Sequence, residues 1–321
     1  MAKYELKMGR ATREAFGEAL VELGRENKDV VVCDADLSKS TMTYAFGKEF
    51  PERFIECGIA ESNMVAIGAG LGSAGKIPFV SSFSAFLLNK GFEQLRVTAA
   101  FPKVNLKAVG THSGISIGED GPSQMSIEDI SLACSLAGFT VIAPCDEISM
   151  KALVKQSAAV HGPFFIRASR AKAALVYAKD QVFEIGKAMQ LTDGNDVTII
   201  CNGLLVAECL RAAETLLAEG IHARVLDMHT VKPIDRDAIA RAAAETGVIV
   251  VAEEHLVDGG LGVRVAQVVC ETNPCPMEFI GVQNTYAESG TPDDLLDKYG
   301  FRASDVIATT RKALARKKKG S

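Results

Sequence analysis

"FIECGIAESNMVAIGAGLGSAGKIPFVSSF", residues 54–83, is the stretch on which the fold turns. A short apolar run gives way at Glu61 to a glycine- and alanine-rich helical pattern over 61–74, and a second apolar run follows at 77–83. Small residues at 66, 68, 69, 70 and 72 would let this helix lie close against a neighbouring backbone. Glu61 sits in the first turn, where an acid complements the helix dipole. A carboxyl placed there to exchange a proton with a ligand is the other reading, and this stretch alone leaves both open.

The same alternation extends in both directions. Strand-like runs occur at 30–35 (VVVCDA), 104–110 (VNLKAVG), 140–145 (TVIAPC) and 163–169 (PFFIRAS), with helical patterns at 11–25, 84–100, 127–137 and 147–160. Continuous apolar strands separated by helices predict a parallel sheet covered on both faces. Past Arg170 the pattern loosens through residues 171–196, and the boundary is expected near 185. A second unit follows: "DVTIICNG", a helix over 205–219, "HARVLDMHTV" at 222–231, a helix over 235–246, "GVIVVAEEH", a helix over about 260–272, and "MEFIGV". The expected fold class is α/β, with two domains, 1–185 and 186–321, each holding a mostly parallel sheet covered by helices.

Composition narrows the partners. The chain has 321 residues, 48% of them hydrophobic, and a formal charge of −5, so a sizeable core is expected and nucleic acid is not. The one concentrated basic run, "ARKKKGS" at the end, reads as a solvated, frayed tail. No apolar run reaches the roughly 20 residues that span a bilayer, and "MAKYELKMGRATREAF" lacks a signal-peptide core, so a soluble, cytoplasmic protein away from membranes is expected. The eight cysteines show neither CxxC pairs nor zinc spacing and read as buried, reduced thiols.

Four motifs hold the groups that carry chemistry. Phe83 and Phe86, with Phe92 further on, enter a helix from a strand end, where they either pack the core or wall a ring-binding slot. "GTHSGISIGEDGPSQMSIED", 110–129, ends in a stretch resembling a capping box from Ser126 to Asp129. It also gathers His112, Glu119, Asp120, Ser123 and Gln124, more hydrogen-bonding groups than a turn requires. Arg13 and Arg170 each read alone as surface arginines, although strand-end arginines of a parallel sheet are also where anions bind. In the second unit "EEHLVDGGLG" brings Glu253, Glu254, His255 and Asp258 before a glycine-rich helix start; a metal or phosphate site is one reading, and a structural or dimer-forming role is the expected one.

"FIECGIAESNM", "FSAFLLNKGFEQLR", "GISIGEDGPSQM" and "FIRASR", in this order and spacing, resemble transketolase, and the likeness extends over the whole chain. What is resembled is the carboxyl-terminal half of a full-length transketolase, its pyrimidine-binding domain followed by its third domain. The resemblance therefore implies one subunit of a split enzyme. Its N-terminal partner subunit would carry the GDG diphosphate-binding motif and ligate Mg²⁺ or Ca²⁺, in an α2β2 heterotetramer. It implies transfer of a two-carbon ketol unit between sugar phosphates through thiamine diphosphate, as in the pentose phosphate pathway.

By that resemblance Glu61 is the catalytic acid that bonds N1′ of the aminopyrimidine, Phe83 and Phe86 enclose that ring, and Asp36 lies near the cofactor. Arg13, Ser40 and Arg170 would hold the sugar phosphate, while His112, Asp120 and Gln124 would line the substrate channel. Gln124 stands where microbial and plant members carry histidine, and Asn89 where members often carry tyrosine or arginine. Glutamine is neither a general acid nor a base, so such a role would pass to histidines of the partner. The alternatives are a 1-deoxyxylulose-5-phosphate synthase-like chain, a 2-oxoacid dehydrogenase E1 β-like subunit, and a non-catalytic regulatory subunit.

Overall fold

The computed structural model describes residues 6–320, with side chains through Lys317. Its first strands are β1 (Met8–Ala11), β2 (Val30–Asp34), β3 (Phe54–Glu56), β4 (Ile77–Phe83), β5 (Lys107–Thr111), β6 (Thr140–Ile142), β7 (Phe164–Arg167) and β8 (Lys172–Ala174). They are followed by β9 (Met189–Thr192), β10 (Val197–Cys201), β11 (Ala223–Asp227), β12 (Thr230–Lys232), β13 (Ile249–Leu256) and β14 (Met277–Val282). One seven-stranded sheet runs β12-β6-β7-β5-β4-β2-β3, and a five-stranded sheet runs β14-β13-β10-β11-β9. Every pairing is parallel except at β12 and β9, and a small antiparallel pair joins β1 to β8. The protein is thus two α/β domains built on mostly parallel sheets.

Why the strands read as unbroken apolar runs is visible in where neighbours point. Val32 and Cys33, Phe79 and Val80, and Phe164 and Phe165 are all fully buried, yet the two members of each pair belong to different apolar clusters. Successive strand residues face opposite sides, so a sheet covered on both needs apolar side chains at every position. Helices α1 (Thr12–Glu26) and α7 (Glu147–Ala159) cover one face through Phe16, Leu20 and Leu153. Short helices α2 (Ser38–Thr41) and α3 (Tyr44–Glu49) follow β2. On the other face α4 (Glu61–Ser73), α5 (Ser84–Gln94) and α6 (Asp129–Ser135) contribute Val65, Leu88 and Ile130. Both clusters run on into the second sheet, where α8 (Leu205–Ala218) lies on the first side and α9 (Arg236–Thr246) and α10 (Leu261–Glu271) on the second.

α4 shows why its small residues matter. A Cβ on Gly68 would fall 2.4 Å from Val80 Cγ1, and one on Gly72 would fall 2.6 Å from Val104 Cγ1, so glycine is what brings the helix down onto the sheet. Ala66 and Gly70 face outward instead, and Gly70 has open space beside it.

Several expectations need correction. The helix expected over 84–100 is α-helical only to Gln94 and continues as a wider π-helical stretch over Leu95–Ala100. Ser126 does not cap α6; Glu128 precedes that helix, and Asp129 turns inward to pair with Arg167. "HARVLDMHTV" is two strands in two sheets: β11 ends at Asp227, and Thr230 then pairs with Ile142, covering the exposed edge of the first sheet. Asp227 is buried at that crossover, where burial raises its carboxyl pKa to about 7 although the Tyr177 hydroxyl donates to it at 2.7 Å. β9, α11 (Pro292–Lys298) and α12 (Ala303–Gly320) lie outside the strands and helices expected from the sequence. The basic run lies largely on α12 and not in a frayed tail: Arg316 bonds Glu278 at 2.7 Å and Lys317 donates to the Thr246 carbonyl. Ser321 and the side chains of Lys318 and Lys319 lie outside the described residues. The thiols are free as expected, but only Cys33, Cys145, Cys201 and Cys209 are buried; Cys57, Cys134 and Cys275 are half-buried and Cys270 is exposed.

The ion pair of Arg167 and Asp129 is 2.9 Å long and shut away from water. Removing one member of such a pair strands the other charge in the interior. Arg167→Met should therefore cost about 3–5 kcal/mol in denaturant unfolding. Lys155→Met, at an exposed pair with Glu22 and Glu26, should change stability by less than about 1 kcal/mol.

Candidate active site

The carboxyl ends of β2, β4, β5 and β7 lie side by side, and the loops that leave them form the edge at which open α/β sheets bind ligands. β4 ends in Phe83, which leads directly into α5; Phe86 follows one helical turn later. Their rings lie 5.6 Å apart at 17°, and the imidazole of His112, at the end of β5, stacks on Phe83 at 3.8 Å and 24°. These rings make a flat, apolar surface with polar atoms at its margin.

Glu61 is the first residue of α4 and only 3% exposed. Its Oε1 accepts from Lys90 Nζ at 3.3 Å, and the same ammonium lies 4.4 Å from the centre of the Phe86 ring. Lys90 is four residues beyond Phe86 on α5, so the helical period carries it to the same face. Asn89 points elsewhere, to Glu128 at 3.3 Å. A helix-dipole acid would ordinarily sit in water, whereas this carboxylate is buried beside an aromatic surface.

His112 adopts φ +60°, an unusual conformation for a residue with a side chain, and this aims its ring at Phe83. Arg13 Nη1 lies 3.5 Å from His112 Nε2, and Thr111 Oγ1 lies 2.9 Å from Nδ1. A guanidinium only donates, so Nε2 accepts and the proton resides on Nδ1, which donates to Thr111. Burial lowers the imidazole pKa to about 3, with Arg13 and Arg170 adding repulsion.

Arg13 also donates from Nη1 to the Ser40 carbonyl at 2.6 Å, while its buried Nε has no partner among the described residues. Burial lowers the guanidinium pKa; Glu14 partly offsets this and Arg170 adds to it. Arg170, half-exposed, donates from Nη1 to the Ile117 carbonyl at 2.6 Å and to Glu119 at 2.9 Å. Two guanidinium groups thus act on one imidazole from neighbouring positions, a concentration of positive charge with an unused donor.

Sequence-marked residues therefore divide in two. Phe86, Phe83, His112, Arg13 and Ser40 form one continuous chain of contacts, to which Glu61 is joined through Lys90, with Arg170 beside it. Asp36, Asp120 and Gln124 lie on the flanking loops: Asp36 is exposed at φ +63° with its N–H on Glu56, Asp120 is exposed, and Gln124 is half-buried. Lys90 was not marked, although its spacing from Phe83 and Phe86 was a signal. Arg167 and Asp129 were missed as a pair, because residues on a strand and a distant helix meet only once the chain has folded. In "EEHLVDGGLG" the two oxygens of Glu253 accept from Leu261 and Gly262 N–H at 2.7 and 2.8 Å. The start of α10 thus already holds a carboxylate of its own chain, which removes the phosphate-site reading. Among the described residues no group of three or more His, Cys, Asp and Glu side chains is placed to share a metal ion.

The His112 ring should stay neutral at pH 6, with its proton on Nδ1, as read by nitrogen-15 NMR of the labelled histidines. Because the folded-state pKa lies below the ordinary 6.5, the unfolded chain binds the extra proton. This group therefore costs stability progressively as pH falls from about 6.5 towards 3. Arg13→Met should move the ring pKa upward; a wild-type ring that titrates near 6.5 contradicts the electrostatic account.

Comparison with known proteins meets this geometry. The transketolase pyrimidine-binding domain family matches residues 8–174, and the transketolase C-terminal domain family matches 186–306. A putative transketolase C-terminal section from Methanocaldococcus jannaschii is 41% identical over 92% of this chain and 93% of its own length. A 6-deoxy-6-sulfo-D-fructose transketolase subunit, SqwH, from Clostridium sp. is 38% identical over 95% of each. The transketolase of Homo sapiens is 39% identical over 94% of this chain, which spans only 48% of it. Among solved structures, a split-gene transketolase described as an inactive beta4 tetramer superposes with a TM-score of 0.90 at 48% identity, over 96% of this chain and all of that one.

Proposed function

Because the chain belongs to the transketolase family, a thiamine diphosphate-dependent family, we propose that it is the pyrimidine- and sugar-binding subunit of a two-chain transketolase. The reaction is transfer of a two-carbon ketol unit from a ketose phosphate to an aldose phosphate, as in the pentose phosphate pathway. An N-terminal subunit with a GDG motif binds the diphosphate and its Mg²⁺ or Ca²⁺, and two copies of each chain form an α2β2 assembly in the cytoplasm. The matching of separate chains by subunit-length relatives, and of about half the human enzyme, supports this division of labour. We place the boundary between the two domains at 185/186.

The residues present fit the aminopyrimidine end of the cofactor. Thiamine diphosphate supplies, when bound, a carbanion centre at its thiazolium ring. Phe83 and Phe86 offer the flat apolar slot, and Glu61 is a buried side chain at its margin that would bond the ring nitrogen N1′. We assign Asp36, exposed on the loop after β2, to the cofactor as well. The observation that carries the proposal is the juxtaposition of buried Glu61 with this aromatic slot, joined through Lys90, which lies one turn beyond Phe86 on α5.

Arg13 and Arg170, with Ser40, bind the sugar phosphate, and the unpartnered Arg13 Nε is a donor ready for one of its oxygens. Neutral His112 offers its edge to the substrate, and Asp120 and Gln124 bond sugar hydroxyls. A sulfonated ketose, suggested by the name of the Clostridium relative, is a second reading for the same arginine pair.

The assembled enzyme should lose about 10²–10⁴-fold in kcat on Glu61→Gln, measured as ketol transfer from xylulose 5-phosphate. Undiminished transfer would remove Glu61 from the chemistry. Arg13→Met should raise KM for a phosphorylated ketose about 10-fold or more and leave KM for an unphosphorylated ketose unchanged. A matching rise with a sulfonated ketose alone would favour the second reading.

A further inference from the structure

We infer that Glu254, in the second domain, is a positioning residue for the loop from His112 to Gln124. This rests on the reading of that loop as sugar-binding. Glu254 lies at the carboxyl end of β13, 3% exposed, and its Oε1 accepts the backbone N–H of Ser116 at 2.6 Å. Its own carbonyl accepts from Arg167 Nη2 at 2.8 Å, so the residue is held from behind by the buried pair with Asp129.

The loop is shaped around this carboxylate. Gly114 has φ +78°, and a Cβ there would lie 2.3 Å from the Glu254 carboxyl carbon. Further along, a Cβ on Gly118 would lie 3.0 Å from Pro292 Cδ, and one on Gly121 would lie 2.4 Å from Ser289 Oγ. The loop thus rests on the second domain at three successive glycines, with Glu254 supplying the polar anchor. On either side of Ser116 are the residues assigned to the substrate: His112 before it, Asp120 and Gln124 after it. A buried carboxylate bonded to a backbone amide fixes where those side chains start from, without touching the sugar itself.

Hydrogen–deuterium exchange on the full chain tests the contact directly. The Ser116 amide should be strongly protected in the wild type. Glu254→Met, which keeps the length and removes the acceptor, should speed its exchange about 10-fold or more. Glu254→Gln retains an acceptor oxygen and should restore protection. In the complex with the partner subunit, Glu254→Met should raise KM for the ketose phosphate several-fold with kcat within about twofold, and Glu254→Gln should return it. A Ser116 amide that is unprotected in the wild type overturns the positioning role, whether or not Glu254→Met folds; so does one unmoved by Glu254→Met. Faster exchange with unchanged KM overturns instead the sugar-binding reading of the loop.

Discussion

A single buried ion pair ties the molecule together. Arg167, the last residue of β7, and Asp129, the first of α6, meet at 2.9 Å in the interior. Burial would raise the Asp129 pKa, but the guanidinium holds it below the usual carboxylate range. Asp129 Oδ2 also accepts from Ser84 Oγ at 2.8 Å, which fixes the start of α5 and with it Phe83 and Phe86. Arg167 Nη2 donates to the Ser126 carbonyl and to that of Glu254, joining the end of the polar loop and the second domain to the same point. The pair does more than stabilise: the aromatic slot, the loop and the second sheet take their relative positions from it.

Around this anchor the site is an ordered sequence of charge and apolar surface. A buried carboxylate and an ammonium stand at one end, two stacked phenyl rings and an uncharged imidazole in the middle, and two arginines at the other. The imidazole is kept neutral because it is buried and faces guanidinium groups, so it can accept from Arg13 without adding charge. The ammonium of Lys90 is paired with Glu61 at the near end, so the two guanidinium groups leave the positive potential concentrated at the far end and the ring slot without net charge. The second domain enters through Glu254 and the segment around Ser289 and Pro292, which gives it a part in shaping the first domain's loop.

Much of this was legible before folding. Unbroken apolar runs at β2, β4 and β7 announced a sheet covered on both sides, and the motifs marked a glutamate, two phenylalanines and two arginines that the fold gathers at one edge of that sheet. What escaped depends on distance through space. Asp129 looked like part of a cap because its partner is 38 residues away on a strand. "HARVLDMHTV" looked like one strand because nothing in an apolar run says that its second half will leave for another sheet. Lys90 went unmarked because only the turn of the helix brings it over Phe86, and Glu254 acquires a function only when two domains meet.

The central claim is that this chain holds one half of an active site. Mixing it with a GDG-containing partner chain, in the presence of thiamine diphosphate and Mg²⁺, and following aldose phosphate production from xylulose 5-phosphate and ribose 5-phosphate tests that claim most directly. The account predicts no turnover by either chain alone and cofactor-dependent turnover by the mixture. Turnover by this chain alone, or none by an assembled complex, would contradict it.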